Sequence, residues 1–258
     1  SHLLHQKKHM SAPLSPKTTH RCYRERHSPH AGEVSFQVVV GETDLWVAAG
    51  EDLSREMAVV VAGLRGEIQA YMALAPDFRT SLTPISVLPE APEIVRRMAA
   101  GTKLAGVGPF AAVAGTMAQM VAGYFRPRSP EMLVDNGGDI YIQGRRERIV
   151  GLLPDVNSET MLGLRLAGGV LPMSVCSSSA SIGHSLSFGQ GELATVLAPD
   201  GAFADAAATA LCNMLQTPAD VPLAVDQAKA WARHGLKGVF VQCGQRLGMW
   251  GDFELVSL

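Results

Sequence analysis

The sequence predicts an α+β fold in which mostly antiparallel sheets pack with helices. Apolar residues make up 47% and charged residues 18% of the 258 residues, which is typical of a globular protein with a sizeable core. The predicted strands occur as hairpins separated by helices and do not alternate singly with helices, as they would in a parallel βαβ repeat. The order of elements is also similar in the two halves: a hairpin is followed by helices in the first half, and strands are followed by a helix in the second.

The first half is predicted to begin with a hairpin and to continue with helices. Alternating apolar residues indicate strands, and apolar residues at helical spacing indicate helices. The first long helix is expected to end before Pro76, and Pro109 suits the first position of another helix. The predicted elements are strands over 34–40 and 45–49 and helices over 52–75, 92–100 and 109–124.

The second half is predicted to contain most of the strands. Asn136-Gly137-Gly138 is a turn signal, because both glycines adopt positive φ at low cost. A Ser-rich loop is predicted over 177–182. The other predicted elements are strands over 132–135, 139–143, 148–153, 162–167, 173–176, 184–187, 193–198, 237–242 and 246–249, and helices over 202–216 and 222–234.

Residues 1–31 differ in composition from the rest and hold six of the eight histidines. We interpret them as a tag-derived or disordered arm with no assigned chemistry, and residues 32–258 as a single domain. The basic N-terminus lacks the apolar stretch of a secretory signal, and no run approaches the roughly 20 apolar residues of a membrane helix. A cytoplasmic protein without a membrane segment is therefore expected.

The net charge, the aromatic content and the cysteine spacing argue against several classes of protein. A net charge of −2 and an aromatic content of 6% give no support for nucleic-acid binding. The four cysteines lie far apart and form no CxxC motif, so a disulfide scaffold or zinc knuckle is not indicated. Reduced, buried thiols are expected instead.

Asp205 and Thr209 are the most informative pair of residues. They are four positions apart on a predicted helix, so their side chains lie on one face. A carboxylate and a hydroxyl are hard oxygen donors of the kind that Mg²⁺ takes. The alternatives are an exposed helix cap or a satisfied buried hydrogen bond.

Two glycine-rich segments are further candidates. Gly106 and Gly108 precede a predicted helix N-terminus, where free N–H groups attract anions, although close helix packing explains the same residues. The Asn136-Gly137-Gly138 turn would form a backbone-lined loop with Asn136 and Asp139 at its mouth, although a plain turn has the same signature.

His184 is one of two histidines outside the N-terminal arm, and it follows a hydroxyl-rich segment that contains Ser181. Such a histidine suits a general base or a phosphate-contacting group. The alternative is a structural histidine.

Five ordered blocks of sequence resemble an uncharacterised branch of the ApbE-like superfamily, known from anaerobic bacteria and methanogenic archaea. The blocks are Glu42–Leu45, Ala105–Gly115, Asn136–Ile140, Ile182–Gly189 and Asp205–Ala210. The resemblance runs from about Tyr23 to the C-terminus. Its better-known members are Mg²⁺-dependent flavin transferases, which cleave FAD and attach FMN through its phosphate to a threonine of a target protein. The resemblance implies a T-fold-like α+β architecture with two related halves.

The resemblance also implies roles for individual residues. Asp205 and Thr209, with Gly106, match the metal-binding positions, and His184 matches a histidine proposed to deprotonate the acceptor. Asn136, Gly137 and Gly138 match a loop near the nucleotide. Together with the local patterns, the candidate residues for binding FAD or FMN are Gly106, Gly108, Asn136, Gly137, Gly138, Asp139 and Ser181.

Three functional hypotheses remain open. The first is an enzyme that performs Mg²⁺-dependent phosphoryl or FMN transfer to a protein acceptor. The second is a non-catalytic flavin- or nucleotide-binding protein, because the segment from Lys103 to Pro109 lacks acidic and Lys or Glu contacts of the flavin transferases. The third is an accessory factor in anaerobic sulfur or homocysteine metabolism, in which Cys176 would be reactive. An exposed sheet edge or an Ala-rich helix face would support a homodimer.

Overall fold

The computed structural model describes His27 and residues 29–152, 162–180 and 192–258. Its strands are β1 (Val34–Val40), β2 (Thr43–Ala49), β3 (Met132–Asn136), β4 (Asp139–Gln143), β5 (Arg148–Gly151), β6 (Leu162–Leu166), β7 (Met173–Ser179), β8 (Glu192–Ala198), β9 (Gly238–Cys243), β10 (Arg246–Gly251) and β11 (Glu254–Ser257). Its α-helices are α1 (Ser54–Leu74), α2 (Asp77–Thr80), α3 (Glu93–Ala105), α4 (Val113–Phe125), α5 (Gly201–Met214) and α6 (Val221–Ala230).

The described strands form two antiparallel sheets, which confirms the predicted α+β class. The larger sheet has the order β1-β2-β3-β4-β7-β8-β9-β10, and the smaller one has the order β11-β6-β5. In the larger sheet, hairpin β1–β2, helices α1–α4 and hairpin β3–β4 are followed by hairpin β7–β8, helices α5 and α6 and hairpin β9–β10. This repeated order gives the two related halves that the sequence predicts.

Three apolar clusters arrange these elements in layers. Helices α1, α3 and α4 pack on the sheet in the first half, and α5 and α6 pack on it in the second half. The opposite face of the larger sheet packs against the smaller sheet, where Ile140, Ile142 and Phe240 meet Leu164 and Leu166. The larger sheet is therefore covered on both faces. The start of α4 contacts the β3–β4 hairpin through Ala114, and the start of α5 contacts β7 through Gly201.

Several predicted elements differ in the structure. The predicted loop at 177–179 is the end of β7, because Ser177, Ser178 and Ser179 pair with β8. The helix predicted from Pro109 begins with a 3₁₀ turn, Pro109–Ala112, before α4. Strand β11, which the sequence did not indicate, completes the smaller sheet by pairing with β6. The strand predicted over 184–187 lies outside the described residues.

Helix α1 is relevant to the prediction that the chain has no membrane segment. It is the one described helix long and apolar enough, by length and composition, to cross a membrane. One such helix is weak evidence, since core helices of soluble proteins meet the same criteria. Arg65 and Glu67 interrupt it, which is why the sequence shows no continuous apolar run. Its buried residues, which include Met57 and Val61, pack into the core.

Glycines allow α3, α4 and α5 to cross at close range. A Cβ added to Gly101 of α3 would lie 2.6 Å from the backbone carbon of Ala202 in α5. A Cβ added to Gly115 of α4 would lie 2.4 Å from the carbonyl oxygen of Gly201. The first turns of α4 and α5 are therefore held together by backbone contact, and no larger residue fits between them.

Gly101→Ala tests this close crossing. We expect it to lower the free energy of unfolding by about 1–3 kcal/mol, because the new methyl group overlaps the backbone of α5. Gly123→Ala in α4 is the matched control, since nothing lies within 4 Å of its added Cβ, and it should stabilise the helix by roughly 0.5–1 kcal/mol. Urea unfolding of both variants measures the difference. Equal midpoints would contradict the crossing.

Candidate active site

The Asn136–Asp139 turn joins β3 to β4 and forms one wall of the candidate site. Gly137 and Gly138 have φ angles of 69° and 102°, the left-handed region that a two-residue hairpin turn of this kind requires. The Oδ1 of Asp135 accepts a hydrogen bond of 2.8 Å from the Gly138 N–H. The turn is also tied to β7, because the Ser177 N–H donates to the Gly138 carbonyl.

The first turn of α4 connects this hairpin to α5. Asn136 donates from Nδ2 to the Ala114 carbonyl at 3.2 Å. The next residue, Gly115, donates its N–H to Oδ2 of Asp205 at 2.8 Å. Three of the five ordered blocks therefore meet at one place, and the first of them, Ala105–Gly115, does so through Ala114 and Gly115 and not through Gly106 or Gly108.

Asp139 and Asp205 lie side by side, and each is at most 9% exposed. The two carboxyl groups are close enough to hydrogen bond to each other. The thiol of Cys176 also interacts with the Asp139 carboxyl group, whereas the buried Oδ1 of Asp139 accepts no hydrogen bond from another described residue. Within the same residues, no ion pair joins either carboxyl group to a cationic side chain.

Burial dominates the electrostatics of this pair. It raises the pKa of Asp205 to about 7, although the Gly115 and Ala114 N–H groups favour the charged form. Burial, followed by the negative charges of Asp205 and Asp135, raises the pKa of Asp139 well above its usual value. The pair therefore favours a proton or a cation over two bare negative charges.

Cys176 lies opposite Asp139 in the β4–β7 pairing and is fully buried. Burial, followed by the negative charges of Asp139 and Asp205, raises the pKa of its thiol well above the usual value. The thiol is therefore protonated and inaccessible near neutral pH, the opposite of a reactive cysteine. Cys212 and Cys243 are also free and buried, as predicted.

The structure changes the interpretation of Gly108 and of the expected anion site. A Cβ on Gly108 would lie 1.7 Å from the Ser81 carbonyl oxygen, so this glycine is required by packing. The N–H groups of Ala114 and Gly115 at the start of α4 interact with the Asp205 carboxylate. The anion at this helix N-terminus is thus a side chain of the protein itself.

Gly106 lines a cavity beside α5, and Thr209 directly precedes Ala210, which lines the same cavity. Gly106 ends α3 with φ of 76° and is exposed. Thr209 is half-buried, one turn after Asp205, and Asn213 on the next turn lines the cavity. The cavity has a volume of about 310 Å³ and is lined by Ala105, Gly106, Val107, Ala210, Asn213, Met214, Gln227 and Trp231. His184 and Ser181 lie outside the described residues.

His27, in the N-terminal arm to which the sequence assigns no chemistry, hydrogen bonds to Asp135 next to the hairpin turn. Its side chain is 1% exposed, and Nε2 lies 3.0 Å from Oδ2 of Asp135. Because the Gly151 N–H donates to Nδ1, the ring proton is on Nε2 and is donated to Asp135. The sequence signal for this residue is the start of the family resemblance near Tyr23, four positions before it.

The residues present fit a magnesium ion. The described residues contain no group of three or more His, Cys, Asp or Glu side chains that could hold a metal. Mg²⁺ does not need such a group, because it is usually bound by one or two carboxylates and keeps several waters. Asp205, Thr209 and the unpartnered oxygen of Asp139 offer such a donor set.

Comparison with known proteins places the chain in a family. A family model described as AbpE bacteria matches residues 24–249. A UPF0280 protein of Methanopyrus kandleri is 39% identical over 196 residues, which cover 75% of this chain and 78% of the relative. One of Methanocaldococcus jannaschii is 34% identical over 228 residues, which cover 86% and 92%. The chain belongs to the UPF0280 family of ApbE-like proteins.

Solved structures share the fold of this UPF0280 chain. The flavin transferase ApbE from Vibrio cholerae aligns with a TM-score of 0.53 at 11% identity, covering 87% of this chain and 96% of that one. The apo flavinyl transferase ApbE from Pseudomonas stutzeri aligns with a TM-score of 0.55 at 14% identity, covering 87% and 94%. At this identity the likeness establishes the ApbE-like architecture only.

The raised pKa of Asp205 predicts how stability depends on pH. An unfolded Asp titrates near ~3.9, so between that pH and about 7 the folded protein binds more protons than the unfolded chain. In a chelator, we therefore expect this carboxyl to make the free energy of unfolding fall as pH rises through the window. Urea unfolding at several pH values should show a smaller fall for Asp205→Asn than for the wild type. Identical pH dependence in both proteins would contradict the prediction.

Proposed function

We propose that this protein binds FAD or a related flavin dinucleotide with Mg²⁺ and transfers the FMN portion to a hydroxyl group of a protein acceptor. The observation that carries the proposal is the buried Asp139–Asp205 pair, which has no cationic partner in the described residues. Thr209 follows one helical turn after Asp205. The shared architecture with flavin transferases supports the choice of ligand.

Asp205 and Thr209 would hold the magnesium ion, with the Gly106 segment nearby. When bound, Mg²⁺ neutralises the charge of a pyrophosphate and polarises the phosphorus that is attacked. The hairpin and the first turn of α4 hold Asp205 in place through Gly115, so the carboxylate is preorganised. The 310 Å³ cavity is large enough for one ring system of a dinucleotide and lies at the lower end of the range for small-molecule sites.

The proposed reaction breaks the phosphoanhydride bond of FAD and forms a phosphoester bond to the acceptor oxygen. AMP is the leaving group, and the proton of the acceptor hydroxyl passes to His184. A histidine suits this step because its ordinary pKa of about 6.5 leaves it neutral and basic near pH 7. His184 is included on the strength of the family resemblance.

Binding without turnover is the second candidate function. The N–H groups at the start of α4 interact with Asp205, so this helix N-terminus is not open to a phosphate. Among the described residues, the metal ligands and the cavity would then hold a flavin or nucleotide. This version shares the ligand but lacks the transfer step.

The accessory role in sulfur metabolism receives less support. The relatives above are from methanogens, but Cys176 is buried and protonated, so a reactive-thiol version has no support from the site. The predicted homodimer and the cytoplasmic location stay predictions.

Titration of FAD, followed by flavin fluorescence with and without Mg²⁺, tests the binding. We expect Mg²⁺ to tighten binding to the wild type. Asp205→Asn should weaken it by about 10-fold or more, because loss of even an outer partner of a metal typically costs 10- to 100-fold. Asparagine is preferred to alanine, since it can still accept the Gly115 N–H. Asp226→Asn, at an exposed carboxylate on α6, is the matched control.

FAD binding that does not depend on Mg²⁺ would contradict the metal part of the proposal. Absence of FAD binding under all conditions would contradict the flavin part, and other nucleotides would then be screened.

Turnover is tested separately with His184→Ala. We expect this variant to bind FAD with Mg²⁺ as the wild type does and to release AMP at least ~100-fold more slowly, the usual contribution of a general base. Release of AMP in the presence of a threonine-containing acceptor peptide is the measurement. Unchanged release would exclude the assigned role of His184, and no release by the wild type would favour binding without turnover.

A further inference from the structure

The Asp139–Asp205 pair differs from the other buried acidic groups described in the structure. Glu33 forms two hydrogen bonds of 2.8 Å with Arg148. Asp135 accepts from the Gly138 N–H and from His27. Asp139 and Asp205, in contrast, face each other. A buried charge without a counter-charge costs several kcal/mol, so this pair takes up either a proton or a cation.

The open positions in the pair are well defined. The Asp205 carboxylate already accepts from the N–H groups of Gly115 and Ala114, so it would bind a cation through a lone pair that these donors do not use. Oδ1 of Asp139 is buried without a partner in the described residues. Two oxygens from different elements are thus available in the same buried space.

Asp139 is also held rigidly. It pairs with Asn136 across the hairpin and with Cys176 across the β4–β7 boundary. Because its neighbour Ile140 packs toward the smaller sheet, the Asp139 side chain leaves the strand on the opposite face, where the helices lie.

The chemistry of the pair selects the occupant. Two carboxylates repel an anion, and a neutral ligand would leave their charge uncompensated. The carboxylate oxygens are the charged donors, with the Thr209 hydroxyl on the same helix face as Asp205, whereas the neighbouring thiol of Cys176 is protonated. Oxygen donors of this kind take Mg²⁺ or Mn²⁺, and a charge of +2 balances both carboxylates.

We propose that Asp139 is a second carboxylate ligand of the divalent cation and binds it through Oδ1, beside Asp205. This inference rests on the proposed function, because the cation is the same one. It assigns Asp139 to the metal, whereas the sequence indicates only a residue at the mouth of a nucleotide-binding loop. The hairpin that carries Asp139 then positions the metal.

Binding of Mn²⁺ alone, measured by loss of the free-ion EPR signal after removal of metals, tests the inference without any activity assay. The wild type and the Asp226→Asn control should bind one Mn²⁺ with equal affinity. Asp139→Asn and Asp205→Asn should each weaken binding by about 10-fold or more. Affinity of Asp139→Asn within twofold of the wild type, with binding lost in Asp205→Asn, would overturn the role of Asp139 and leave the proposed function intact.

A second measurement separates a ligand from a structural residue. In a chelator, Asp139→Asn should unfold at higher urea concentration than the wild type, because one of two repelling carboxylates is gone. With Mn²⁺ present, the order should reverse. A variant that is less stable than the wild type in both conditions and binds Mn²⁺ with the affinity of the wild type would show that Asp139 is structural.

Two outcomes remain. If Asp139→Asn does not fold, Asp139→Ser provides the same comparison with a smaller side chain, and normal Mn²⁺ affinity in it would overturn the inference. If the wild type binds no Mn²⁺ in the absence of FAD, this inference is wrong, whereas the metal part of the proposed function is decided by the FAD titration with and without Mg²⁺.

Discussion

The hydrogen bond from the Gly115 N–H to the Asp205 carboxylate is the contact on which the site depends. It joins the first turn of α4 to α5, and it forms only because two glycines let the helices approach until their backbones touch. Asn136 reaches the same turn through the Ala114 carbonyl, so the hairpin is fixed by the same few atoms. A residue with a Cβ at position 115 would move Asp205 away from the hairpin and separate the candidate ligands.

The second constraint is charge. Two carboxyl groups are buried together, and the surrounding residues offer N–H groups and a protonated thiol as their neighbours. Such an arrangement is unfavourable for stability in the absence of a proton or cation, which distinguishes it from the Glu33–Arg148 pair elsewhere in the chain. Unfavourable buried charge of this kind is characteristic of functional sites, because a bound cation recovers the free energy that folding has lost.

The UPF0280 chain keeps the ApbE-like architecture at 11–14% identity to solved flavin transferases. What persists at such distance is the order of hairpins and helices, because the sheet and its packing tolerate many apolar sequences. The site is more restrictive: the hairpin needs glycines at positive φ, and the helix crossing needs residues without a Cβ. His27 adds a further support from the N-terminal side, through Asp135 and the backbone of Gly151.

Local patterns in the sequence determined the hairpins, the helices and the common face of Asp205 and Thr209, since turn chemistry and periodicity act over a few residues. They also placed Asn136 and Asp139 at a turn. Only the tertiary structure decided that Asp139 lies against Asp205, that His27 pairs with Asp135 across 108 positions, and that Gly108 is a packing residue against Ser81. Each of these contacts joins segments that are far apart in the sequence. Local sequence patterns do not predict such contacts, because the same pattern can pack against many different segments.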